Sequence, residues 1–254
     1  MKRENGLPEQ LKLLFIEHLD ESMKRHGFSR RYNSLLYSRQ VEYGRQVISV
    51  EANYYKHDNE VRFIPCIECF SARINKLLSA ILETSNNDCS NPRYSQALAD
   101  NLLGKGDFIS VYSLKTWKSQ SELLSKIIST FPTYFPLSSL SQNILAFKNI
   151  LEYGLFDDLN AIKTYADISS DNFIYQHNKI LDDLYENLKE IGKDEHFSNE
   201  SLQYEKALFF SFGAMVILKE YVRAFQFLDD LRCLDDPRYY DFRSVAKEYI
   251  HRLL

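Results

Sequence analysis

QVISVEANYYKHDNEVRFIPCIECF, residues 46–70, contains two runs in which apolar residues recur at every second position. In the first, Ile48, Val50, Ala52 and Tyr54 share a parity; in the second, Val61, Phe63, Pro65, Ile67 and Cys69 do. That period belongs to a strand with one buried face. The polar KHDNE between the runs is short enough to fold them back on one another as an antiparallel hairpin. Upstream, YNSLLYSRQ and the turn EYGR add a third strand, so the stretch reads as a meander.

Around the meander the periodicity changes to that of helices. Leu11, Leu14, Phe15, His18, Leu19 and Met23 recur at helical spacing after Pro8, and Gly27 is placed to close that helix as its C′ residue. SARINKLLSAILETS supplies a second helix with Ile74, Leu77, Leu78, Ile81 and Leu82 on one stripe. The loop NNDCSNPRYS follows, and beyond Gly104 and Gly106, DFISVYSL reads as a fourth strand. From about residue 118 the pattern is helical to the end. SQSELLSKIISTF opens on a capping-box-like Ser119-x-x-Glu122, PTYFP reads as a turn, and SSLSQNILAFKNILEYG ends on Gly154. FDDLNAIKTYADI, NFIYQHNKILDDLYENLKEIG ending on Gly192, SLQYEKALFFSFGAMVILKEY, VRAFQFLDDLRCL and RYYDFRSVAKEYIHRLL complete the series. The expected class is α+β. An antiparallel meander with helices over residues 1–117 is followed by an all-α array of helical hairpins over 118–254.

Composition bounds the function classes. The 254 residues are 44% hydrophobic and 14% aromatic, ample for a packed core. No apolar run approaches the roughly 20 residues of a bilayer span, and MKRENGLPEQ lacks an apolar signal core. With four unpatterned cysteines, a reducing cytoplasm and no membrane partner are expected. Residues 1–118 carry a net charge of +3 and residues 119–254 a net of −7. An acidic second half repels nucleic acid and suits a basic partner.

Cys66-x-x-Cys69 sits in a strand reading, where positions three apart point to opposite faces, so neither a redox pair nor a zinc knuckle is expected and both read as structural thiols. The six histidines show no metal-ligand spacing, GKGD lacks the pattern of a phosphate loop, and no G-x-S-x-G occurs. The basic RHGFSRRY cluster (Arg25, Arg30, Arg31, Tyr32) reads as a solvated surface in preference to an RNA contact. DDLRCLDD places Asp229, Asp230 and Asp235 in a DDxxxxD spacing that resembles the magnesium–diphosphate motif of all-α isoprenoid synthases. It lies close to the end of the chain and has no convincing second motif at Asp182–Asp183, so acidic helix ends are the preferred reading.

Two further resemblances bear on function. KEYVRAFQFLDDLRCL, with Tyr221 and Ala224, resembles the middle of a tetratricopeptide repeat over about half a repeat, which implies packed helical hairpins. Residues 8–150 resemble a small bacterial α+β domain family of unknown function associated with toxin–immunity loci. That resemblance rests on Gly27 and Phe28, Arg30 and Arg31, Tyr37 and Arg39, and Trp117 ahead of a helix running into YFPLSSL. It implies a bacterial protein with no catalytic residues. Paired tyrosines beside carboxylates are the composition of interface anchors. The expectation is therefore a non-enzymatic protein-binding module without cofactor or metal, of immunity type. Its binding residues are Asp157, Asp158, Asp229, Asp230, Asp235, Asp236, Tyr239 and Tyr240. Two other readings stand beside it: a tetratricopeptide-like adaptor for short peptides, and a Mg²⁺-dependent enzyme of diphosphates.

Overall fold

The computed structural model describes residues 9–32, 34–88, 109–119, 121–190, 199–235 and 242–254. The expected loop around Cys89, the turn at Gly104 and Gly106 and the helix end at Gly192 lie outside those residues. The fold is α+β, a six-stranded antiparallel sheet in the N-terminal half and helices through the C-terminal part. The chain forms two compact units. One takes in Met1–Val41, Arg45–Cys69 and Val111–Ile162; the other takes in Glu42–Gly44, Phe70–Ser110 and Lys163–Leu254.

The first unit opens with α1 (Glu9–Arg25), then β1 (Ser29–Arg30), β2 (Leu36–Val41), β3 (Gly44–Tyr55) and β4 (Glu60–Phe70). Gly27, at φ +81°, ends α1 as expected: Phe28 N–H reaches Met23 C=O at 2.9 Å and Gly27 N–H reaches Lys24 C=O at 3.0 Å, the two bonds of a Schellman cap. Along β4 burial alternates residue by residue, as the period-two spacing predicts. Its inward Phe63 is the hub of the core, stacked on Phe15 at 5.3 Å and meeting Phe131, Phe135 and Phe147 at 5.6, 6.1 and 5.6 Å. Strand order is β1-β2-β3-β4-β5, with β5 at Ile109–Ser113.

Two expectations for this unit are corrected. Tyr134–Pro136 is not a turn but a strand, β6, antiparallel to β4 with Val61 opposite Phe135, because Phe135 buries its ring against Phe63. The cap of α3 (Glu122–Thr130) is Ser121, whose hydroxyl accepts from Leu124 N–H, whereas Ser119 lies before the helix and accepts from Ser121 N–H. As expected, the helix breaks at Gly154: α4 (Leu140–Ile150) runs into a π turn at Leu151–Leu155, where Gly154 at φ +156° is non-helical, and α5 (Phe156–Asn160) continues beyond the kink. A buried polar joint ties β2, β3 and α5. Arg39 donates to Gln46 Oε1, Asn160 Oδ1 and the His26 carbonyl at 2.8, 2.9 and 3.0 Å, and Gln46 donates to the carbonyls of Leu159 and Ile162.

The second unit consists of α2 (Ala72–Asp88), α6 (Tyr165–Ile168), α7 (Asp171–Glu190), α8 (Asn199–Ile217), α9 (Tyr221–Asp230) and α10 (Phe242–His251). FDDLNAIKTYADI is thus two short helices, because Thr164 and Asp167 form a reciprocal capping box that starts α6 anew. From Ala207 to Val216 every residue of α8 except Gly213 packs a side chain into the interior, and α2, α6, α7 and α9 pack around it. Phe209 and Phe212 meet Phe242 edge-on at 4.9 and 5.9 Å. Gly213 lets α8 close on α2; a Cβ there would sit 2.6 Å from Ile74 Cγ2. Among the described residues no helix is long and apolar enough to cross a membrane.

Candidate binding surface

The acidic residues expected to form the site have different surroundings. Asp157 is exposed in the first turn of α5, but its neighbour Asp158 is turned inward and accepts from Trp117 Nε1 at 3.1 Å, with Tyr112 edge-on to the indole at 5.2 Å. Asp158 therefore anchors the only tryptophan in the chain. Both belong to the first unit. Asp229 and Asp230 end α9 in the second unit, both exposed, and Asp229 accepts a hydrogen bond from Lys247, whose ammonium also lies 4.5 Å above the Phe225 ring. The backbone of Asp235 ends a short 3₁₀ turn. Asp236, Tyr239 and Tyr240 lie outside the described residues.

α7 carries a more extensive acidic face than the sequence reading assigned to it. Asp171, Tyr175, Lys179, Asp182, Asp183, Glu186 and Glu190 are all exposed and recur every three or four residues, while Leu181 and Tyr185 are buried on the opposite side. Tyr175 stands 64% exposed within that face. Carboxylates outnumber lysines along the helix. One end is fixed by Arg223 of α9, which donates to Asp171 and to the Ser169 carbonyl at 2.6 and 2.5 Å and to Glu220 at 2.8 Å. On α9 the exposed residues Val222, Gln226, Asp229 and Asp230 again share one side. LDDLYENL did contain this signal, since its acidic positions fall between apolar ones at helical spacing.

Inside the second unit polar groups meet where α7 packs on α8. Tyr185 donates to the fully buried Glu205 at 3.0 Å, and His177 donates from Nδ1 to the Phe173 carbonyl at 2.8 Å with its ring 4.1 Å from that of Phe173. Burial pushes the imidazole down to about 4, so it is neutral at pH 7.

The two cysteines of the Cys-x-x-Cys do occupy opposite faces of β4, Cys69 buried and Cys66 half-buried. Burial, with the carboxylates of Glu68 and Glu51 adding, pushes the Cys66 thiol up to about 11. It is a thiol and not a thiolate at neutral pH, and so a poor nucleophile.

Comparisons with protein-family models, curated proteins and solved structures return no match.

Proposed function

We propose that this chain is a protein-binding module that recognises a basic partner protein through the acidic helical face of its second unit. The observation that carries the reading is the solvent-facing stripe of α7, in which the exposed Tyr175 lies between Asp171 and Lys179 and leads into the carboxylates of Asp182, Asp183, Glu186 and Glu190. Tyrosine offers a large, rigid, amphipathic contact at low entropic cost, and a row of carboxylates steers a cationic partner towards it. Asp229 and Asp230 extend the acidic character on α9. Asp157 remains a candidate contact on the first unit, whereas Asp158 serves the fold through Trp117. The sharpest form of the proposal is a cytoplasmic, bacterial, immunity-type role, in which shape and charge complementarity suffice and no catalytic group is needed.

Reversing the charge of Asp182, Asp183 and Glu186 together is expected to weaken partner binding at least about a hundredfold at low salt, with most of the loss in the association rate. Tyr175→Ala is expected to raise the dissociation rate. All four positions are exposed, so the variants should remain folded, as thermal unfolding would show. Unaltered binding by the triple variant would remove the reading.

A further inference from the structure

The alternation along β2, β3 and β4 leaves a second sheet face that is not the core face, and near β1 it is concave. A hollow of about 540 Å³ there is lined by Ser29, Arg30 and Arg31 at β1, Ser38 on β2, Arg45 on β3 and Glu68 on β4. Leu36 and Val47 supply its apolar wall. Every one of these residues belongs to the first unit. The strand geometry explains how they meet: Ser29 pairs with Ser38, Leu36 and Ser38 are two apart on one strand, and Arg45 and Val47 are two apart on the next.

On the hollow's own face the exposed Arg31 and Arg45 outnumber its one carboxylate, Glu68. Arg30 lies opposite Tyr37 in the β1–β2 ladder and donates from Nε to Asp20 at 3.0 Å, where Tyr37 OH also donates at 2.8 Å, so its guanidinium is turned to the α1 face and not into the hollow. Arg31 and Arg45 are exposed, and Glu68 accepts from Ser49 at 3.3 Å. The inward Arg39, spent on Gln46 and Asn160, takes no part.

We propose that this hollow is a binding site for a small phosphorylated metabolite of the sugar-phosphate class. The planar fork of arginine matches a phosphate in a bidentate manner. The volume falls within the roughly 300–1,000 Å³ typical of small-molecule sites and exceeds what a bare phosphate fills. Ser29, Ser38 and Glu68 offer hydrogen bonds to ligand hydroxyls, and Leu36 and Val47 cover a carbon skeleton. This site is independent of the acidic face of α7.

The test is calorimetric titration of the full chain with glucose 6-phosphate, glucose, inorganic phosphate and a single-stranded RNA oligonucleotide. Saturable one-to-one binding of glucose 6-phosphate is expected, tighter than inorganic phosphate and absent for glucose. Arg31→Ala and Arg45→Ala should each weaken it about tenfold, the loss of one charge-assisted contact, with Arg31→Lys weakening it less. Both arginines are exposed, so circular-dichroism melting should show the variants folded. The proposal is overturned by no saturable glucose 6-phosphate binding, by binding indifferent to both substitutions, or by oligonucleotide binding that is tighter and lost on the same substitutions.

Discussion

Gly44 and Cys66 show how single residues are fixed by what surrounds them. Gly44 closes the EYG turn at φ +149°, and a Cβ placed on it would stand 2.2 Å from the Phe70 carbonyl oxygen. That contact is with backbone and cannot relax by a rotamer change. Gly44→Ala is expected to destabilise the second unit by about 2–3 kcal/mol or more, read from the denaturant midpoint. The glycine was legible in the sequence as a turn residue, but the approach of residue 70 was not, because nothing local records which strand passes close by. For Cys66, alkylation by iodoacetamide should be slow at pH 7.5 and rise tenfold per pH unit towards about 11, while Glu68→Gln lowers the midpoint. A midpoint near 8.5, the free-thiol value, would contradict the burial and the two carboxylates that set it.

At the scale of elements, strong periodicity was readable and punctuation was not. The alternation of residues 46–70 and the stripes of α1, α2 and α7 come from apolar faces that must be buried, and such faces are written in order along the chain. β6 leaves no signal in the sequence because three residues show no period; its pairing is decided by Phe63 and Phe135, which are far apart in sequence. The Thr164–Asp167 box and the Ser121 cap each turn on one side-chain bond within a polar stretch that offered several alternatives. The C-terminus of α8 illustrates the same point. Lys219 sits at φ +64°, where glycine is usual, with Glu220 N–H reaching Met215 C=O at 2.9 Å in a Schellman cap. Lys219→Gly is therefore expected to stabilise the protein by about 0.5–1 kcal/mol. The α7–α8 contact should also respond to pH. His177 titrates near 6.5 when unfolded and at about 4 when folded, so the unfolded chain binds more protons between those values. Stability present above pH 6.5 is lost as the pH falls towards 4, by about 2 kcal/mol between pH 7 and pH 5. Urea midpoints at the two pH values should show that loss, and His177→Gln should abolish it.

For the molecule as a whole, the division of charge between a basic first part and an acidic second was plain from the sequence, and it has physical form in α7. The acidic face was expected at the aspartates near residues 157 and 229. Those positions proved partly committed to Trp117 and Lys247, while α7 presents the longer run. Repeated DD pairs alone could not distinguish these cases, because the partner of each carboxylate comes from a distant segment. The sheet hollow was represented in the sequence only by RHGFSRRY, and Arg45, Ser38 and Glu68 join it through strand pairing. The measurement that bears most directly on the proposed function compares affinity capture by the tagged chain and by the Asp182→Lys, Asp183→Lys, Glu186→Lys variant from the native host. Both are run at about 50 mM and about 500 mM salt, where the Debye length falls from roughly 14 to 4 Å. The account predicts a stoichiometric basic protein bound by the unmodified chain at low salt, released at high salt and not captured by the variant. A partner retained equally by both chains at both salt concentrations would contradict it.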